Sequence, residues 1–327
     1  MEQIDAVITW VDGSDPIHVQ KIKKAKGLHI EDDSENMDAT RYASNFEINY
    51  CVLSILKFAP WIHNIYIVTD NQRPKIFEDV SKHFPNRLKD IIIIDHREIF
   101  KGYENALPNF NSTAIESCLW RIKELSNRFI YFNDDVLLLR PQEISDFFIG
   151  DRPVLRGNWI PTIFYRDFYE KLRMSLSKSF YPRFSFNLGQ WRSAKLIGKG
   201  IRYWAYPHDP HPLNKEVLKG FYLKNQDTFK ENIRHQFRVH SQFISIALNY
   251  HLEIFMYKNR NFKPDKNLYI KPKANKPSYF NKKINQLREN NKFNSICAQS
   301  LDIATAEQRN ELYHILDQTI AKVDRNG

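Results

Sequence analysis

Adjacent carboxylates at Asp134 and Asp135 form a side-chain pair able to do metal chemistry. Hard oxygen ligands near a phosphate can hold a divalent cation, which offsets negative charge as a phosphoryl group moves. Asp12 and Asp15 are candidate long-range partners. Successive strand residues point to opposite faces, so both acids reach one ion only if the backbone turns there. Two ordinary strand-end acids would read the same way.

A second concentration is Pro207-His208-Asp209-Pro210-His211-Pro212. A histidine in this turn could take a proton from an attacking hydroxyl while the carboxylate orients its ring. Capping or a plain surface turn would explain the same residues. Arg234, His235 and Arg238 add a cluster suited to phosphate, with arginine offering a fork of donors and histidine a titratable group. A solvated basic face is the alternative.

These residues need elements to hold them. Four short apolar runs each end at an acid or amide: Ile4 to Val11 before Asp12, Ile65 to Thr69 before Asp70, Ile91 to Ile94 before Asp95, and Phe129 to Phe132 before Asn133. They read as buried strands. Asn45 to Phe58 reads as a helix through Ile48, Cys51, Ile55 and Phe58, and Thr113 with Glu116 has capping-box spacing. Strands alternating with helices predict a Rossmann-like, glycosyltransferase-like α/β fold, with a mostly parallel sheet flanked by helices. In such sheets the ligand crevice lies outside the carboxyl ends of the strands, where Asp12, Asp70, Asp95, Asp134 and Asp135 would converge.

Residues 1–150 are expected to form the donor-binding and catalytic core. Residues 151–210, rich in aromatics that include Trp159, Phe168, Tyr169 and Trp204, read as an acceptor-side helical insertion or a satellite core. Residues 211–327 read as the helical completion of the catalytic domain and a C-terminal segment. Within them, helices are expected over Leu213 to Leu223, Ser241 to Tyr250 and Thr305 to Val323. The basic, proline-containing stretch Asn261 to Asn285 reads as a surface excursion.

Composition narrows the function. The net charge of +10 suits anionic partners, whether nucleotides, phosphorylated acceptors or a membrane surface. The basic residues are dispersed and no nucleic-acid motif accompanies them, so nucleic acid is not expected. Cys51, Cys118 and Cys297 lack metal-ligand spacing and are expected as buried thiols in a reducing compartment. With no signal sequence and no long apolar run, the expected location is cytoplasmic, with peripheral attachment through a basic face left open.

Extended motifs occurring in order carry a resemblance to a known family. IDAVITWVDGSDP at Ile4 to Pro16 resembles the first block of the Stealth family of hexose-1-phosphate transferases, which includes bacterial capsule and exopolysaccharide enzymes. Arg41 through Phe148 resembles the second block, notably in LKFAPWIHNIYIVTDNQRP, LPNFNSTAIES and RFIYFNDDVLLLRP. His208 to Lys215, followed by Arg234 to Arg238, resembles the third block, although Ser241 and Gln242 stand near where an acid would be expected. FNSICAQSLD at Phe293 to Asp302 is similar to a fourth.

The resemblance implies transfer of a sugar-1-phosphate from a nucleotide diphosphate sugar to a hydroxyl of an oligosaccharide or lipid-linked glycan at the inner face of a bacterial membrane. It marks Asp12, Asp134, His211, His235 and Arg238 as candidate catalytic residues. It places Asp12, Asn111, Ser112 and Arg41 at the donor, with Asp70 and Arg97 in matching motifs. Mg²⁺ or Mn²⁺ is the implied cofactor, with Asp134 and Asp135 as ligands. An ordinary nucleotide-sugar glycosyltransferase and a non-enzymatic polysaccharide-binding module are the competing readings.

Overall fold

The apolar runs become strands that pair with partners distant in sequence. The computed structural model describes residues 3–27, 46–177, 180–273, 277–289 and 292–325. From the N-terminus, β1 (Ile4–Thr9), α1 (Pro16–Ala25), α2 (Glu47–Phe58), β2 (Ile65–Thr69) and β3 (Ile91–Asp95) lead to α3 (Ser112–Cys118), β4 (Arg128–Asn133) and β5 (Val136–Leu138). The next segment holds β6 (Asn158–Pro161), α4 (Phe164–Leu176), α5 (Phe186–Leu196) and β7 (Arg202–Ala205). It is followed by β8 (His211–Asn214), α6 (Lys215–Lys224), α7 (Gln226–Ile233) and α8 (Ser245–Phe255). The chain ends with β9 (Asn267–Ile270), α9 (Pro277–Arg288), β10 (Ser295–Ala298) and α10 (Ala306–Thr319).

The central sheet has the order β8-β4-β1-β2-β3. β1 is parallel to both β2 and β4, and β2 is parallel to β3, so four carboxyl ends share one rim. The chain moves outward from β1 to β3 and returns to the other side of β1 as β4. That reversal is the topological switch point where open α/β sheets bind ligands. β8 runs antiparallel to β4 and pairs His211 with Tyr131, so its first residue enters beside the same rim.

Alternation along β1 explains why its apolar run is nearly continuous. Ala6 and Ile8 join one apolar cluster with α2, β5, β9, β10 and α10, whereas Val7 joins the other with α3, α6, α7 and α8. Both faces are covered, as a parallel sheet requires. Cys51, Cys118 and Cys297 are buried and unpaired. Among the described residues no helix is long and apolar enough to cross a membrane.

Four local expectations change. His211–Asn214 is strand, and the helix begins only at Lys215, where the Asn214 side chain caps it by accepting from Val217 N at 3.3 Å. The apolar spacing runs through that junction, and Pro212 is tolerated because β8 is an edge strand. Asn261 to Asn285 is not a surface excursion: Leu268 and Ile270 are buried in β9, and Phe280 and Ile284 in α9. Its prolines fall at element ends, where no ladder hydrogen bond is lost. The helix expected from Ser241 starts at Ser245, and where Thr113 and Glu116 read as a capping box the cap is Asn111, which accepts from Thr113 N at 3.1 Å.

Candidate active site

A cavity of about 510 Å³ opens at the switch point. Its floor is the ends of β1 and β4, Thr9 to Val11 and Asn133 to Asp135. The Tyr131 hydroxyl lies 2.8 Å from Thr9 Oγ1 and donates to Asn133 Oδ1 at 2.7 Å, tying those two ends together.

The backbone turns at Asp134 and Asp135, so both carboxylates reach the cavity. The turn is held from below, since the Asp135 carbonyl accepts from Ala298 N at 2.9 Å and the following β5 pairs with β10. Burial, followed by the charges of Asp135 and Glu47, pushes the Asp134 carboxyl well above its ordinary range. Burial raises Asp135 to about 6 against a hydrogen bond from the Cys297 thiol. Buried Asp135 Oδ1 has no hydrogen-bond partner among the described residues. An orphaned oxygen beside mutually repelling acids is a donor set that a divalent cation fits. Among the described residues no three His, Cys, Asp or Glu side chains form a metal cluster.

Across the cavity, Arg238 donates to the Ser112 hydroxyl at the start of α3. Two buried amides build that contact. Asn111 Nδ2 donates to the His235 carbonyl and to Gln242 Oε1, each at 3.0 Å, and Phe110 N donates to the Gln236 carbonyl at 2.9 Å. Gln242 Oε1 also accepts from Val239 N at 3.0 Å, while its amide donates to the Asn232 carbonyl at 2.8 Å. The loop carrying Arg238 is therefore fastened to the segment carrying Ser112.

Glu116 follows Ser112 by four residues, one turn along the same face of α3, and also lines the cavity. Burial raises its carboxyl to about 7, even though Arg238 and hydrogen bonds with Ser112 and Tyr131 oppose the shift. A carboxyl with that value can take up or release a proton near neutral pH. Reading Glu116 as half of a capping box hid this role. Its four-residue spacing from Ser112 was the available signal.

His211 is buried against aromatic rings, 4.6 Å from Tyr206 edge-on and 6.4 Å from Tyr131 nearly parallel. Its Nδ1 lies 3.3 Å from the Tyr250 hydroxyl. Burial, with His208 and Arg156 nearby, pushes its pKa well down, so the ring is neutral at pH 7. The expected carboxylate partner is engaged elsewhere: Asp209 accepts from Ser295 Oγ at 2.5 Å and pairs with Arg156 at 3.6 Å. His208, sandwiched between Phe186 and Tyr269 at 4.8 and 5.4 Å, also faces the cavity.

Thus Ser112, Asp134, Asp135, His211 and Arg238 converge on one cavity. Asp12 lies beside it, its carboxylate accepting from Ser14 N at 2.9 Å and Ser14 Oγ at 2.6 Å to shape the β1–α1 turn. Asn111 is buried as a helix cap. His235 lies outside the lining, just past the end of α7 and 3.4 Å from Glu231 of that helix. Arg41 lies outside the described residues. Asp70 pairs with Lys21 at 2.9 Å and His18 at 3.5 Å, and Asp95 caps the following helical turn. Arg97 is largely exposed, 3.9 Å from Asp95. Glu47, His18 and His96 are lining residues that the sequence reading did not select.

The aromatic interval divides in two. Trp204 is buried and donates to the Arg156 carbonyl at 3.2 Å, with Trp159 packed edge-on against it at 5.4 Å. Trp204 belongs to the core, and Trp159 is half-buried against it. Among the described residues of the interval, the rings that reach the cavity are Phe184, Phe186, Tyr206 and His208.

Comparison with known proteins follows the same order along the chain. Residues 2–29 match Stealth protein CR1, conserved region 1, and residues 41–154 match Stealth protein CR2, conserved region 2. Capsular polysaccharide phosphotransferase LcbA of Neisseria meningitidis is 31% identical over 321 residues, covering 95% of this chain and 80% of that protein. An exopolysaccharide phosphotransferase of Streptomyces coelicolor is 44% identical over 147 residues, 44% of this chain and 25% of its own length. A capsular polysaccharide phosphotransferase of Actinobacillus pleuropneumoniae is 39% identical over 163 residues, 49% of this chain and 40% of its own. Among solved structures, the galactosyltransferase LgtC is similar at 11% identity and a TM-score of 0.44, over 98% of each chain. Both family regions in order, and an alignment along nearly the whole chain, establish that this chain belongs to the Stealth family.

Proposed function

We propose that the chain transfers a hexose-1-phosphate unit from a nucleoside diphosphate sugar to a hydroxyl of an oligosaccharide or lipid-linked glycan. The product is a phosphodiester linkage of a capsule or exopolysaccharide, and nucleoside monophosphate is released. The observation that carries this reading is the presence of Glu116 and Arg238 in one cavity at the switch point, with Asp134 and Asp135 on its floor. Phosphoryl transfer depends chiefly on positioning and charge stabilisation, and this cavity supplies a base, a guanidinium fork and paired acids.

The acceptor oxygen forms a bond to the phosphorus that bears the sugar. The bridging bond to the nucleotide phosphate breaks, and the bridging oxygen leaves with the nucleoside monophosphate. Glu116 takes the acceptor proton. Arg238, anchored on Ser112, binds the equatorial phosphoryl oxygens. His211 keeps Nε2 for a substrate hydroxyl while Nδ1 faces Tyr250. Asp134 and Asp135 would hold a divalent ion, Mg²⁺ or Mn²⁺, which when bound offsets charge on the phosphates.

Incubation with UDP-, GDP- and CMP-linked sugars and glycan acceptors tests this reading by the nucleotide released. From a nucleoside diphosphate sugar, nucleoside monophosphate with a phosphorus-containing product is expected. Nucleoside diphosphate with a simple glycoside would replace the reading with ordinary glycosyl transfer.

A further inference from the structure

Helix α4 is turned inside out relative to an ordinary surface helix. Such helices bury an apolar stripe and expose their charges. In α4 the buried side chains are Asp167 and Glu170, at 4% and 8% exposure. Asp167 pairs with Arg192 of α5 at 2.6 Å and with Lys171 at 2.8 Å, and Glu170 pairs with Arg166 at 3.1 Å. Phe164, Tyr165, Phe168, Tyr169, Leu172 and Leu176 are exposed, at 45% to 78%. They recur at four-residue intervals in two adjacent rows, so they form one continuous face.

The exposed charges of α4 have one sign. Both acids of α4 are buried, while Arg166, Lys171 and Arg173 are exposed at its margins. Aromatic rings with polar tips, leucines and flanking cations are the residues that lie at the boundary between lipid headgroups and acyl chains. A contiguous apolar patch of this kind on a soluble protein marks an interaction surface. The overall charge of +10 adds attraction to an anionic surface.

The face is also linked to the cavity. α4 is ion-paired to α5, whose first residue Phe186 lines the cavity with Phe184. The Arg238 guanidinium stacks 5.5 Å from the Phe184 ring. A surface seated on α4 is therefore linked to Arg238 through the Asp167–Arg192 ion pair, α5 and the Phe184 ring that precedes it.

We infer that the exposed face of α4 docks on an anionic lipid bilayer, laying its aromatic and leucine side chains into the headgroup region. The inference rests on the proposed glycan phosphotransfer only in that docking would bring the cavity to a lipid-linked acceptor.

The test is co-sedimentation of the full chain with vesicles of phosphatidylcholine alone and of phosphatidylcholine mixed with phosphatidylglycerol, without substrates. Binding to the mixed vesicles is expected, weakening in high salt. The double variant Leu172→Glu/Leu176→Glu changes only exposed positions and should bind them roughly tenfold or more weakly. Its circular dichroism, and its turnover with a soluble acceptor, should match the parent. Absence of binding by the parent, or equal binding by the variant, overturns the inference. So does a parent that ignores vesicles but self-associates in sedimentation velocity and is dispersed by the variant, since the face would then belong to a second copy. Vesicle binding is read without turnover, so either proposal can fail alone.

Discussion

His211 and Tyr131 are register partners on the antiparallel pair β8 and β4, with ring centroids 6.4 Å apart and planes 17° apart. Tyr131 ties the ends of β1 and β4 together, so the imidazole rests on the group that fixes the switch point. One turn and one edge strand, far apart in sequence, thereby share a rigid floor.

His211→Ala should lower kcat by about 10²-fold or more at saturating donor, because in the proposed reaction the neutral imidazole meets the substrate hydroxyl. Near-parental turnover removes His211 from the mechanism.

Glu116→Gln should abolish most turnover and erase the pH dependence attributable to this group. In the parent, activity is expected to rise through pH 7, because burial raises the Glu116 carboxyl to about 7 and the proposed mechanism needs it deprotonated. A rising limb that persists unchanged in the variant, measured with saturating donor, assigns the proton transfer to another group.

The same substitution has a stability consequence of opposite sign. The folded pKa of Glu116 is raised from 4.5 to about 7, so between those values the unfolded chain has released a proton that the folded chain retains. Stability from this site is full below 4.5 and declines as pH rises to 7. At pH 8, Glu116→Gln should therefore raise stability by about 1–2 kcal/mol in denaturant titration, with no such gain at pH 4.

Arg238→Lys should cost about 10²–10³-fold in kcat/KM, because a single ammonium cannot reproduce the guanidinium's fork to Ser112 and a phosphoryl group. Equal kinetics for arginine and lysine would show that only net charge matters at this position.

Chelation should abolish turnover, with Mg²⁺ or Mn²⁺ restoring it, and Asp135→Asn should raise the metal concentration needed for half-maximal rate. Full turnover of rigorously chelated parent rejects the metal requirement.

Trp204→Ala is expected to destabilise the fold by about 3–5 kcal/mol, as removal of a buried indole does, without a change in acceptor preference in whatever remains folded. A shift in preference at parental stability would return Trp204 to the acceptor site.

The switch-point sheet was legible because β1 to β4 are short apolar runs with polar ends, a signal that survives without tertiary context. β8 was not, since the apolar spacing of Leu213 continues into α6 and hides the change of element. Asp134, Asp135, His211, Arg238 and Ser112 were reachable from motif resemblance. The positions of Asp12, Asn111 and His235 depend on hydrogen bonds to residues elsewhere in the fold or nearby turns, which spacing alone does not reveal. Glu116 was masked by a second rule that its neighbours also satisfy. The outward aromatic face of α4 was hidden because amphipathic spacing does not say which side is buried; the Asp167–Arg192 pair decides it.

The most direct test of sugar-phosphate transfer is the fate of the oxygen joining the donor sugar to phosphorus, labelled with heavy oxygen and followed by mass spectrometry and phosphorus NMR. Attack at phosphorus predicts that the label stays between sugar and phosphorus in the phosphodiester product. Its departure with the nucleotide would show that the bond to the sugar carbon breaks, contradicting the account.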